Sequence, residues 1–324
     1  MFQAEPILWL QSFESPAITS LLLAVSLLGY AVVYTALIIG LAFGCRLRPS
    51  LAVLLALIIS GILTNGFKEG LAIPRPNDID TRVSEPGEAV RKAVGTRGAA
   101  RGFWALPSAE TTAAVRARPE ASYGFPSGHV SSAAAFFVGA GVFFRFRAAL
   151  IFALGWIPLM AVSRMYLGRH FLADVVGGVA VGLVAVVVAA VLLRPLNPDL
   201  RGDRGMMALA PLGLVVLLFT ASTPFVAALD AQNVGRLLGL TVVYAFVLRR
   251  GFPFDRGAVW QRSARILVAI IVYLATSRII DTIWDVADWQ NTRSGDLVAG
   301  LIVTSVTLGG AIALSRRLRL FRAA

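Results

Sequence analysis

Residues 163–193 read SRMYLGRHFLADVVGGVAVGLVAVVVAAVLL, a polar stretch followed at once by a long apolar run. The run at 172–193 carries one charged residue, Asp174, and a helix of about 20 apolar residues is enough to cross the hydrocarbon core of a bilayer. Beyond Asp174 its residues are apolar on every face, whereas a surface helix of a soluble protein keeps a polar face. We therefore predict a membrane-spanning helix with ionisable groups at its beginning.

The composition of the chain extends this prediction to the whole molecule. Of its 324 residues 57% are hydrophobic, the mean hydropathy is +0.75, and 15% are charged, against about 25% in typical soluble domains. Nine apolar segments are candidate spans, namely 17–44, 50–67, 127–144, 148–165, 172–193, 206–228, 234–249, 265–283 and 296–315. The predicted fold class is all-α, a polytopic membrane helix bundle of about nine transmembrane helices.

The distribution of arginine predicts the orientation of this bundle. The net charge is +12, and much of the positive charge lies in short connections between apolar segments, which is typical of cytoplasmic loops and not of a nucleic-acid-binding face. These arginines are Arg46, Arg48, Arg145, Arg147, Arg194, Arg201, Arg204, Arg249, Arg250, Arg256, Arg262, Arg265, Arg316, Arg317, Arg319 and Arg322. With nine helices they share one side, so the N-terminus is predicted outside and the C-terminus in the cytoplasm.

The chain divides into three predicted regions. Residues 1–16 are aromatic and partly apolar, which indicates an interfacial N-terminal helix on the bilayer surface or, alternatively, a frayed terminus. Residues 17–194 form the predicted helical core, whose polar loop at 77–125 is either a lid or a disordered segment. Residues 195–324 are predicted to form additional C-terminal helices.

The two histidines of the chain both lie in polar clusters beside apolar segments. His170 and Asp174 are four residues apart and share a helix face, so the carboxylate can fix the imidazole tautomer and leave the other nitrogen nucleophilic. His129 follows Ser127 and Gly128 at the start of an apolar segment, where free backbone N–H groups can bind an anion. Capping of that helix by Ser127 is the alternative interpretation.

Three cations accompany the histidines. Lys68 and Arg75 are seven residues apart, about two helical turns, so both can project from one side of a helix end. They can hold a phosphate there, or they can be cations that snorkel from a membrane edge. Arg164 lies six residues before His170. Ionisable groups in spanning regions are functional by default, and together these residues indicate phosphoryl transfer in a membrane.

No metal or other cofactor is predicted. Both histidines are already used, no acidic cluster accompanies them, and a single cysteine, Cys45, excludes a cysteine-based zinc site.

The motifs also resemble a known family. Lys68-x6-Arg75-Pro76, Pro126-Ser127-Gly128-His129 and Ser163-Arg164-x5-His170-x3-Asp174 match, in order and spacing, the three-part signature of the type 2 phosphatidic acid phosphatase superfamily. The resemblance covers 68–174, is specific for the superfamily and is not specific for the substrate. The context of Arg164 and His170 looks most similar to the sphingosine-1-phosphate phosphatase and glucose-6-phosphatase branches. Helices after about residue 205 are outside what the resemblance explains.

The resemblance implies a metal-independent phosphatase with a phosphohistidine intermediate. His170 would be the nucleophile, Asp174 would orient it, and His129 would be the general acid and base. The implied phosphate-binding residues are Lys68, Arg75, Ser127, Gly128 and Arg164. A site at the outer face suits a lipid phosphate, such as phosphatidate, a sphingoid-base phosphate or a polyprenyl phosphate or pyrophosphate.

Several alternatives remain open at this point. They are a sugar-phosphate phosphatase, a lipid-to-lipid phosphotransferase and a non-catalytic lipid binder. The expected partners are the bilayer and a lipid phosphate substrate, with no nucleic acid. Because arginine greatly outnumbers lysine, which hints at a GC-rich genome, the expected location is a bacterial inner membrane with the site facing outside.

Overall fold

The computed structural model describes residues 1–86, 93–118, 121–193, 229–253, 255, 257–290 and 292–321. These residues form helices and no β-strand, apart from one isolated bridge between Pro74 and Tyr123. The predicted all-α class is therefore confirmed for the described part of the chain.

The described helices are numbered here in chain order. They are α1 (Glu5–Gln11), α2 (Pro16–Leu27), α3 (Ala31–Ile39, continued by a π-helical turn at Gly40–Cys45), α4 (Leu47–Leu71), α5 (Pro76–Ile79), α6 (Ala109–Arg116), α7 (Gly128–Phe144), α8 (Arg147–Tyr166), α9 (Leu172–Leu193), α10 (Ala231–Arg250), α11 (Val259–Ala287), α12 (Arg293–Ser305) and α13 (Ala311–Arg317). A π-helical turn at Val306–Gly310 joins α12 to α13.

Six helices of the described chain are long and apolar enough to cross a membrane, or seven if the bent pair of α2 and α3 counts as one span. The helix α7, at Gly128–Phe144, is apolar but shorter than these. Helices occur at eight of the nine predicted segments, and the remaining one, 206–228, lies outside the described residues. The count of nine and the orientation of the termini therefore stay predictions.

The first predicted span, 17–44, is not one straight helix. It breaks between Leu27 and Ala31, and the two halves are bent by 56°. The bend lies where Gly29 packs on the ring of His129, so close that an added Cβ would lie 2.3 Å from the ring Cδ2. The predicted span therefore contains a break, which apolar composition alone does not report.

A close contact between α7 and α9 positions the candidate site. A Cβ at Gly178 would lie 2.7 Å from the carbonyl oxygen of Ser127, and one at Gly182 would lie 2.6 Å from that of Ser131. This small-xxx-small spacing lets two apolar helices approach backbone to backbone. The beginnings of α7 and α9 are thereby held side by side.

The C-terminal helices pack on the same core. Buried side chains of α4, α9, α10 and α13 share one hydrophobic cluster, which includes Ile58, Ala185, Leu240 and Ile312. At the opposite end of the bundle from Lys68, the Arg46 guanidinium donates to the carbonyl oxygen of Phe144 at 2.8 Å. The arginine-bearing helix ends thus meet at one end of the bundle, and the candidate site lies at the other.

Parts of the polar loop at 77–125 pack on the protein in the described structure. Its buried acidic side chains pair with arginines, as in Asp80 with Arg82 at 2.7 Å and Glu85 with Arg169 at 3.1 Å. The Ala100 N–H donates to the carbonyl oxygen of Phe2 at 2.9 Å. The described part of the loop therefore forms a cap over the segment that leads to His170.

The N-terminal segment is tied into this cap. Helix α1 buries Ile7, and the Gln11 side-chain amide donates to the carbonyl oxygens of Ser84 and Tyr166 at 2.9 and 2.8 Å. Placement of residues 1–16 on a bilayer surface stays a prediction.

Candidate active site

All of the candidate residues lie at one end of the helical core. Lys68 is in the last turn of α4, and Arg75 immediately precedes α5. Gly128 and His129 begin α7, while Arg164 is in the last turn of α8. Ser127, His170 and Asp174 complete the set at the starts of α7 and α9. The three sequence motifs thus meet in space.

His170 and Asp174 form a buried pair. The His170 Nδ1 lies 3.4 Å from the Asp174 Oδ2, which also accepts the Phe171 N–H at 2.8 Å. Their exposed fractions are 2% and 0%. The Asp174 carbonyl oxygen accepts the Ser127 N–H at 2.8 Å, so the carboxylate is fixed relative to the start of α7. With Nδ1 facing the carboxylate, Nε2 is the nitrogen left for chemistry.

The cations surround this imidazole. Burial holds the pKa of His170 well below its usual value of 6.5, and the charges of Arg75, Arg164 and Lys68, together with His129, lower it further. His170 is therefore neutral near pH 7, which is the form that can attack phosphorus. The same positive field would stabilise a phosphate dianion beside it.

The structure does not support the interpretation that the Ser127 side chain caps α7. It occupies the N-cap position of α7, but its side chain accepts no hydrogen bond from that helix. Its Oγ is buried without a hydrogen-bond partner in the described structure, as are the Arg164 Nε and the His129 Nε2. Buried polar atoms normally have partners, and these three lie where the cations converge. The arrangement fits an anionic ligand with several acceptor oxygens.

His129 is held by residues that sequence reasoning missed. Its ring lies edge-on to Tyr30 at a centroid distance of 4.9 Å, and Gly29 contacts it directly. The Arg164 Nη1 donates to the Ser26 Oγ, from the end of α2. Ser26, Gly29 and Tyr30 thus form one wall of the site. The only sequence signal for this wall is Gly29 followed by Tyr30 inside an apolar run.

We expect Gly29→Ala to lower phosphatase activity. The backbone at Gly29 has no positive φ, so alanine is tolerated there, but its Cβ would overlap the His129 ring. A displacement of about 1 Å can reduce the rate about 100-fold, and we expect a loss of about 10- to 100-fold in kcat/KM with unchanged melting temperature.

Gly40→Ala is the matched control, since an added Cβ at Gly40 meets nothing within 4 Å. Equal activities of the two variants would contradict the role given to the α2–α3 break.

The described residues contain no group of three or more histidine, cysteine, aspartate or glutamate side chains that could hold a metal ion. Apart from the His170–Asp174 pair, the groups that converge at the site are cations, an imidazole and a hydroxyl, which suit an anion better than a metal.

Comparison with known proteins identifies the part of the chain that carries this site. Residues 49–197 match the model of the PAP2 superfamily. All eight candidate residues fall inside the match, whereas α10–α13 fall outside it. No curated protein and no solved structure matches the chain.

Proposed function

We propose that this protein hydrolyses a membrane lipid phosphate through a phosphohistidine intermediate. Residues 49–197 belong to the PAP2 superfamily, whose members are phosphatases that hydrolyse phosphoric monoesters. The predicted family and the predicted enzyme class are thereby confirmed. The observation that carries the proposal is the convergence of Lys68, Arg75 and Arg164 on the buried His170–Asp174 pair at the ends of apolar helices.

In the proposed first step the His170 Nε2 attacks phosphorus. The bond from phosphorus to the ester oxygen breaks, and His129 gives its proton to the departing alcohol. The three cations, with the Ser127 hydroxyl and the backbone N–H groups at Gly128, hold the phosphoryl oxygens as charge shifts in the transition state. Asp174 keeps the imidazole in the required tautomer.

In the second step His129 takes a proton from water as the water attacks the phosphohistidine. The N–P bond breaks, inorganic phosphate leaves, and His170 returns to its neutral form. No metal ion is required for either step, so the enzyme is expected to work without one.

The site end of the bundle is opposite the arginine-bearing ends. Since cytoplasmic loops carry the excess of arginine, the proposal places the site on the extracytoplasmic side of a bacterial inner membrane. A lipid phosphate in the outer leaflet could then keep its chain in the bilayer while its headgroup reaches His170.

Phosphate release from purified protein in detergent and EDTA tests this function. The substrates are phosphatidate, lysophosphatidate, a sphingoid-base phosphate, polyprenyl phosphate and pyrophosphate, and glucose 6-phosphate. We expect lag-free release from at least one lipid phosphate, at undiminished rate in EDTA. Faster hydrolysis of glucose 6-phosphate than of every lipid, loss of activity in EDTA, or release that requires an added acceptor lipid would contradict the proposal.

A further inference from the structure

A cavity of about 440 Å³ lies between the core and the C-terminal helices. Helices α3, α4 and α7 line one side, and α10, α11 and α12 line the other. Ligand pockets in proteins measure about 300–1,000 Å³, so the cavity is of ligand size. Most of its lining residues lie outside the residues that match the PAP2 superfamily.

The lining carries charged and amide side chains at the site end of the bundle and is mostly apolar, with a few hydroxyls, away from it. Gln232, Asn233 and Arg236 lie in the first turns of α10, whose beginning is near the site end of α4, since Asp230 accepts from Asn65 at 2.7 Å. Ile38 and Leu308 lie further along their helices, toward the arginine-bearing end. An amphiphile from the outer leaflet has the same order of polarity.

The polar end holds charge and hydrogen-bonding groups. The Arg236 guanidinium donates to Asn233 Oδ1 at 3.0 Å and to Gln232 Oε1 at 2.9 Å, and Asp281 of α11 lines the same cavity. No ion pair joins Arg236 to Asp281 in the described structure. Charged residues inside spanning helices are expensive and are functional by default. This end suits a ligand with hydroxyl or amino groups.

Two hydroxyls further inside the cavity have no partner in the described protein. The Tyr34 OH and the Thr307 Oγ1 are both buried without a hydrogen bond, and the two residues are only 4% and 5% exposed. Buried hydroxyls are normally satisfied, so these two point to a polar group supplied by a ligand.

The cavity begins one helical turn from His129 and its neighbour Tyr30. Ser132 lines it and lies three residues after His129 on the same helix, so the two side chains are neighbours. Ala31 lines it and directly follows Tyr30, which contacts the His129 ring. A general acid lies beside the leaving oxygen, so whatever is attached to that oxygen extends past His129.

We infer that this cavity receives the alcohol half of a single-chain lipid phosphate, an inference that rests on the proposed function. The phosphate would lie at His170, hydroxyl or amino groups near the ester would reach Arg236, Asn233 or Asp281, and the chain would lie along Ile38 and Leu308. The volume suits one chain with its polar end better than the two chains of a diacyl lipid.

Ser277→Phe tests the inference, because Ser277 lines the cavity from α11, outside the PAP2 match. Ile279→Phe is the matched control on the same helix, where the side chain is 58% exposed. The substrates are lysophosphatidate, a sphingoid-base phosphate, phosphatidate and para-nitrophenyl phosphate. For the single-chain lipids we expect Ser277→Phe to raise KM at least about 10-fold, as a blocked apolar pocket would. Para-nitrophenyl phosphate should be hydrolysed as by the control.

The inference would be overturned if Ser277→Phe and Ile279→Phe had the same KM for single-chain lipids. It would also be overturned if Ser277→Phe lost as much activity on para-nitrophenyl phosphate as on the single-chain lipids. Failure of the proposed function is distinct, since the unaltered enzyme would then hydrolyse no lipid phosphate.

Tyr34→Phe gives a second test that does not depend on filling space. The hydroxyl has no partner inside the described protein, so its removal breaks no internal hydrogen bond. Loss of one hydrogen bond to a ligand corresponds to about a 2- to 10-fold decrease in kcat/KM, which we expect for single-chain lipids only, with an unchanged melting temperature. Unchanged kcat/KM for these lipids would contradict a ligand bond at Tyr34.

Discussion

His170→Ala is expected to abolish turnover of every substrate. Removal of a covalent nucleophile lowers kcat by about four or more orders of magnitude, because no other group can form the intermediate. Lys68, Arg75 and Arg164 would remain and could still hold a phosphate, so binding should persist while chemistry stops. Phosphate release from the lipid panel and from para-nitrophenyl phosphate measures this loss.

The controls for His170→Ala must separate chemistry from folding. His170 is buried beside Asp174, and its loss leaves a small cavity and a buried carboxylate that keeps, in the described structure, only the Phe171 N–H as a partner. Two further measurements are therefore made on the variant. The melting temperature in detergent reports folding, and competition between inorganic phosphate and vanadate reports binding. More than about one percent residual activity in a folded variant would refute the nucleophile assignment.

His129→Ala is expected to slow the two steps of the reaction to different extents, depending on the leaving group. General acid–base catalysis contributes about 10²- to 10⁴-fold, so turnover of a lipid phosphate, whose alcohol leaves only when protonated, should fall by that factor. Para-nitrophenol leaves without a proton, so the first step should survive with para-nitrophenyl phosphate. The second step still needs a base, and the variant should therefore show a burst of one nitrophenol per enzyme followed by slow release of phosphate.

Stopped-flow absorbance and phosphate release measure the two steps on the same sample. Gly40→Ala, in which the added Cβ meets nothing, should show rapid steady turnover with no slow phase. Equal fractional losses for the lipid and for para-nitrophenyl phosphate, without a burst, would contradict the role given to His129.

Much of the site was predictable because each motif is local. His170 and Asp174 are four residues apart, and Ser127 to His129 are consecutive, so helix geometry alone groups them. The meeting of these segments was predictable from the family signature. The structure adds the reason: Gly178 and Gly182 let α9 approach the backbone of α7 closely.

The wall formed by α2 and α3 was not predictable in the same way. The contacts of this wall are distant in sequence: Tyr30 lies about 100 residues before His129, and Ser26 lies about 140 residues before Arg164. Both belong to the apolar run that was predicted as the candidate span 17–44. Hydropathy reports the solvent around a segment and contains no information about which distant side chain meets it. Ser127 shows the converse, since the hydroxyl of this favourable capping residue does not cap the helix and is buried without a hydrogen-bond partner in the described structure.

The cavity was invisible to sequence reasoning for a related reason. Arg236 belongs to α10, whereas Ser277 and Asp281 belong to α11, and all three are polar residues in mostly apolar segments. Only the packing of α10–α12 on α3 and α4 brings them to one surface.

The most direct test of the account is to locate the phosphoryl group on the enzyme. The His129→Ala variant would be mixed with para-nitrophenyl phosphate, quenched in alkali during the slow phase, digested and mapped by mass spectrometry. The account predicts one phosphoryl group on the peptide that contains His170, lost on acid treatment and absent when His170→Ala is added. A phosphoryl group on another residue, or none during a confirmed burst, would contradict it.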